Sequence, residues 1–142
     1  MDFIEFLQTA DRSSLSGLSL FDVIFASGLS GLASIFLGLV TVAVGAAGLL
    51  VRPLRFAPLA LGLLALLVAF SGAYSGYRHV DAAVNASEGW EKAEAAEISD
   101  GATFCMTALL IGVWAFCMGL GFTLVDLVVW KVRAKVATDP DV

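Results

Sequence analysis

Few side chains in this sequence could do chemistry, and most of them stand inside apolar runs. His79 is the one histidine, and Cys105 and Cys117 are the two cysteines. Asp126 is the one acid flanked on both sides by apolar residues of an expected span, Leu124-Val125 before it and Leu127-Val128 after. An acid in such surroundings can relay a proton, and intramembrane acids commonly do. Its place just before Trp130 and Lys131 argues instead for a solvated or Lys-paired carboxylate near an interface. His79 follows an apolar run and reads as an interfacial residue, although an imidazole there can also act as a pH switch. The two cysteines stand about 18 Å apart if they share one helix, too far to bridge. No Cys-x-x-Cys accompanies them, so they read as small apolar fillers, and neither metal nor cofactor is expected. No Ser/His/Asp set and no phosphate loop is present, and catalysis by this chain is not expected.

The hydroxyls within the apolar runs are the other candidates, Thr41, Ser71, Tyr74, Ser75, Thr103 and Thr107 among them. Any one of them can bond back to a carbonyl of the preceding helical turn. As a set, those between positions 71 and 107 suggest a wetted or inter-helix zone.

The elements that must position these groups are three uncharged runs, Val23 to Val51, Phe56 to Tyr77 and Gly101 to Val125. Each is at least as long as the roughly 20 residues a helix needs to cross a bilayer core. The fold class expected is therefore all-α: an integral membrane protein in one domain. Its parts are a short interfacial helix over 2–10, spans over about 22–51, 56–77 and 101–130, a polar helical outer loop over 78–100, and a tail over 131–142. A cleavable signal is not expected, because the N-terminus is acidic at Asp2 and Glu5 and the first apolar run is too long.

Charge placement suggests an orientation. Arg52, Arg55, Lys131, Arg133 and Lys135 fall on one side of the spans, and basic residues in short loops stay cytoplasmic. The other side holds Arg12, Arg78 and Lys92 among many acids, so the N-terminus is expected outside and the C-terminus inside. The net charge of −5 makes nucleic acid an unsuitable partner.

Within the spans, small residues recur at helical spacing. They are Ser27, Gly31, Ser34 and Gly38 in the first, Gly62, Ala65, Ala69, Gly72 and Gly76 in the second, and Ala108, Gly112, Ala115 and Gly119 in the third. Lipid gives helices no hydrophobic reason to pair, and small faces let backbones approach. So many small faces suggest a homo-oligomer, with the first span peripheral and the working surface between the second and third. Arg52-Pro53 should end the first helix, and Ser87 can cap a polar helix over Glu88 to Glu97 that holds a Glu88–Lys92 pair. Asn85-Ala86-Ser87 matches a glycosylation acceptor, a short pattern that arises often by chance.

The stretch Ser71-Gly72-Ala73-Tyr74-Ser75-Gly76, a polar loop, and Ile98-Ser99-Asp100-Gly101 leading to Ile111-Gly112-Val113 together resemble the last two spans of the MotA/TolQ/ExbB proton-channel family. Gly72 and Gly76 match the family's glycine pair closing one span, and Gly101 and Gly112 match the pair opening the next. The resemblance implies a pentamer in the bacterial inner membrane whose last two spans surround a single-span partner, coupling proton flow to mechanical work. The titrating aspartate would belong to that partner. Gly72, Ala73, Ser75, Gly76, Thr103, Thr107 and Gly112 are then the channel and packing candidates, with Asp126 and His79 as proton-linked groups. The sequence departs from the pattern in three ways. Ala73 stands where the family has threonine, Thr107 lies two positions before Leu109 where another would fall, and Arg52 to Arg55 replaces a large cytoplasmic region. The reading of another class is a non-conducting structural accessory subunit of a larger membrane complex.

Overall fold

The computed structural model describes residues 1–10, 28–87 and 95–138. All elements among them are helical: α1 (Phe3–Gln8), α2 (Gly28–Gly48), a 3-10 turn (Arg52–Leu54), α3 (Ala57–Ser87) and α4 (Ala95–Thr138). Three helical stretches, Gly28–Gly48, Arg52–Ala86 and Ile98–Thr138, are long and apolar enough to cross a membrane, with mean hydropathy of 2.1 to 2.2.

Packing in this bundle is inverted relative to a water-soluble core. The buried residues of α2 are Gly31, Ser34, Gly38, Thr41, Gly45 and Gly48. Large side chains on the same helix, Leu29, Phe36 and Leu39, are exposed. On α3, Ala65, Ala69 and Ala73 are buried while Leu63, Leu67 and Phe70 are exposed. On α4, Ala102, Ala108 and Ala115 are buried while Leu110, Leu124 and Val128 are exposed. Large apolar surfaces facing outward and small residues facing inward are what lipid selects, because close backbone approach replaces hydrophobic burial as the source of association.

Glycine makes that approach possible. A Cβ on Gly62 of α3 would lie 3.0 Å from the Ala115 carbonyl oxygen and 3.1 Å from Phe116 Cα of α4. Gly112 and Gly119 of α4 sit still more tightly against Ala69 and Pro58 of α3. Gly28 opens α2 with a φ of 60°, a left-handed conformation that glycine tolerates best, and it faces the Phe104 ring.

The N-terminal helix is short but anchored. Its first turn is closed by the Asp2 amide, which donates to Glu5 Oε2 at 3.1 Å. Phe6 is completely buried in a cluster with Ala73, Ile98, Ala102 and Cys105. Phe3 meets the Phe70, Tyr74 and Tyr77 rings edge-on at 5.4 to 6.0 Å between centroids, and the Tyr77 hydroxyl donates to the Met1 carbonyl at 2.6 Å. The helix expected to lie along an interface thus packs into one end of the bundle.

In the region expected as a helical outer loop, 78–100, α3 runs on to Ser87 and α4 begins at Ala95. The tail is helical to Thr138. One expectation needs correction: the first span is not peripheral, because α2 packs extensively against both α3 and α4 along its whole small-residue face. It ends at Gly48, before Arg52-Pro53, with the Leu50 and Val51 amides both donating to the Ala47 carbonyl. Ser27, the Glu88–Lys92 pair and most of the Glu88 to Glu97 helix lie outside the described residues. Asn85 is inside α3, donating to Asp81 Oδ1 at 3.0 Å.

Candidate functional site

The proposed channel and packing residues do not converge on one site. Between α3 and α4 the seam is closed by small residues. Gly112 is buried against Ala69 and Leu66, Ala73 is buried, and Gly76 faces Cys105. The Cys105 thiol donates to the Ala73 carbonyl at 3.3 Å, while Cys117 is exposed. The working surface expected between these two helices is therefore a tight contact between helices.

The threonines there satisfy themselves. Thr103 donates to the Ser99 carbonyl and Thr107 to the Thr103 carbonyl, both at 2.8 Å, and Thr41 donates to the Leu37 carbonyl at 2.7 Å. Each is a bond to the preceding turn of its own helix, the inexpensive solution for a hydroxyl in an apolar span. Ser34 of α2 bonds between helices instead, donating to the Ala65 carbonyl of α3 at 3.1 Å.

Ser71, Ser75 and His79 follow four-residue spacing on α3 and so share a face. That face turns away from the α3–α4 seam into an open groove between α2 and α3, lined also by Ser30, Gly72, Gly76 and Phe104. Ser71, Ser75 and His79 are all exposed there. Gly72 faces Ser30 so closely that even a methyl group could not be added. The groove combines hydroxyls, an imidazole and two glycines four apart with an otherwise apolar lining.

Asp126 stands at the opposite end of the bundle. It extends the buried α4 stripe of Ala115, Gly119 and Thr123, it is completely buried, and neither carboxylate oxygen has a hydrogen-bond partner. The expectation of a solvated or Lys-paired acid is thereby corrected. Burial follows from Gly48: the carboxylate fills the space where a Cβ on Gly48 would be. Just beyond, Trp130 Nε1 donates to the Gly48 carbonyl at 3.1 Å and Arg133 Nη1 to the Leu49 carbonyl at 2.8 Å. These two donors serve carbonyls that the end of α2 leaves without intrahelical partners, and they clamp α4 over the carboxylate. A carboxyl buried with both oxygens unbonded costs roughly several kcal/mol, so its retention calls for a proton, a cation or a partner's donor.

His79 and Asp126 thus lie at opposite ends of the bundle. Thr107 and Asp126 are separated along α4 by about 28 Å. Sequence reasoning missed Gly48, Trp130 and the Ser34–Ala65 bond. The signal for the first was present, since Gly31, Ser34, Gly38, Thr41, Gly45 and Gly48 alternate spacings of three and four to the end of the helix. No family model, no curated protein and no solved structure matches this chain.

Proposed function

We propose that this protein is a non-conducting accessory subunit that packs, through the groove between α2 and α3, against a helix of a larger membrane complex. The observation that carries this reading is the exposed face of Ser71, Ser75 and His79. Polar side chains at membrane depth are costly against lipid, and the small Ser71 and Ser75 at four-residue spacing on that face admit a second helix closely. The small faces that would draw identical copies together are already taken up inside the single chain, which favours a different chain as the partner over a pentamer of this one. The accompanying orientation has the basic end, with Arg52, Arg55 and Lys131, in the cytoplasm and α1 outside, in the bacterial inner membrane that the resemblance to the proton-channel family implies. Cysteine-directed cross-linking from Ser75→Cys in native membranes tests the groove. A specific hetero-adduct is expected, and its absence would count against the reading.

A second reading, that of a proton-channel-type motor subunit, is favoured by one observation, the buried and unpartnered Asp126. Proton flux into liposomes separates the two readings. The accessory reading predicts no flux above protein-free liposomes, with or without the cross-linked partner. Flux that Asp126→Asn abolishes would establish the motor reading instead.

A further inference from the structure

At the basic end, the turn Arg52–Leu54 and the last turns of α4 enclose a pocket lined by Arg52, Arg55, Lys131 and Arg133 together with Leu127 and Trp130. Among the described residues no acidic side chain lines it, and the nearby Asp126 is buried with neither carboxylate oxygen hydrogen-bonded. Retention of positive charge in short loops explains why basic residues occur at this end, but it does not require them to converge on one concavity from two separate segments. Two of the four cations are already held in place. Arg133 is fixed by its bond to the Leu49 carbonyl and lies 5.3 Å from the Trp130 ring centroid, and Arg55 lies 4.7 Å from that of Phe56. A guanidinium positioned over a ring in this way keeps N–H groups free for a phosphate.

We propose that this pocket binds the phosphate of an anionic phospholipid headgroup. The chemistry recognised is a phosphate ester with unneutralised negative charge, and the lipid source follows from where the pocket opens. Its wall includes Leu127 and Trp130, and beyond it on α4 lie the exposed apolar Val128 and Leu124, a surface along which acyl chains can lie. Basic pockets between helices at the membrane boundary are suited to such headgroups, and the indole of Trp130 belongs at the same depth.

The test is native mass spectrometry of the full chain in detergent, titrated with dioleoylphosphatidylglycerol or with dioleoylphosphatidylcholine. The wild type is expected to retain phosphatidylglycerol at least about tenfold more strongly, and Arg52→Gln/Arg55→Gln to lose most of that preference, since each basic residue contributes about fivefold. Lys131→Gln is the second variant should the double variant fold poorly, and it is expected to weaken retention by about fivefold. Lys135→Gln, which does not line the pocket, is expected to leave the preference intact. Equal retention of the two lipids by the wild type would overturn the proposal, as would a preference undiminished in the pocket variants. Inorganic phosphate forms a separate arm. If submillimolar phosphate displaces phosphatidylglycerol completely, the site belongs to a free anion and the lipid assignment fails; if it does not, the lipid assignment stands.

Discussion

Gly48 of α2 and Asp126 of α4 occupy complementary space: the missing side chain of one makes room for the carboxylate of the other. The Trp130–Gly48 bond then holds the two helices at that spacing. A polar group is thus enclosed by the same small-residue packing that holds the rest of the bundle together.

Replacing the acid should therefore stabilise the protein. Asp126→Leu removes a buried group with no partner and is expected to raise bundle stability by about 1–3 kcal/mol, read as a higher melting temperature in detergent. Asp126→Asn keeps a polar group in the same place and should gain less. A marked loss of stability in Asp126→Leu would show that the carboxylate has a partner in the folded protein.

Gly112 and Gly121 lie on the same helix in opposite environments. Gly112 is pressed against Ala69, whereas a Cβ at Gly121 meets nothing within 4 Å. Gly112→Val should destabilise by about 1–3 kcal/mol through overpacking of the α3–α4 seam. Gly121→Ala should be neutral or stabilise by up to about 1 kcal/mol, because alanine suits a helix interior better than glycine. Thermal unfolding of the two variants side by side checks the contrast, and equal effects would mean the seam is placed wrongly.

Thiol labelling reads the rotation of α4. Cys105 is buried and bonded to the Ala73 carbonyl, whereas Cys117 is exposed on the outer surface. A lipid-soluble maleimide is expected to label Cys117 readily and Cys105 only after unfolding. Reaction of both at similar rates would contradict the packing of α4 against α3.

At the other end, α1 depends on one side chain. Phe6→Ala is expected to cost about 3–5 kcal/mol locally and to release the N-terminal helix, seen as fast amide exchange over Phe3–Gln8 with α2 to α4 unchanged. Protection that persists in the variant would mean the Tyr77–Met1 bond and the Phe3 ring contacts suffice alone.

What the sequence made legible was set by the physics each feature depends on. Uncharged length identified three helices, because the cost of charge in lipid acts on each residue independently. The stripe of Ala108, Gly112, Ala115 and Gly119 was legible for a similar reason: helical spacing alone puts these residues on one face. Which partner each face meets depends on rotation and tilt, which only the assembled bundle fixes. Ser71 and Ser75 could be placed together on α3 but not turned toward α2. Asp126 shows the same limit more sharply. Its closeness to Lys131 in sequence suggested solvent, while its burial depends on Gly48, far away in the chain. Helix ends were the least legible, since apolar runs stop at the first charge while α3 and α4 continue through charged residues once backbone bonding is established.

A groove between α2 and α3 that receives a helix from a different protein is read by photo-cross-linking in native membranes from a reactive group placed at position 75, with position 120 on the exposed face of α4 as the control. A single adduct heavier than this chain by something other than its own mass, formed from position 75 and absent from position 120, is the predicted result. An adduct of twice the chain's mass, or no change of mass from position 75, would contradict it.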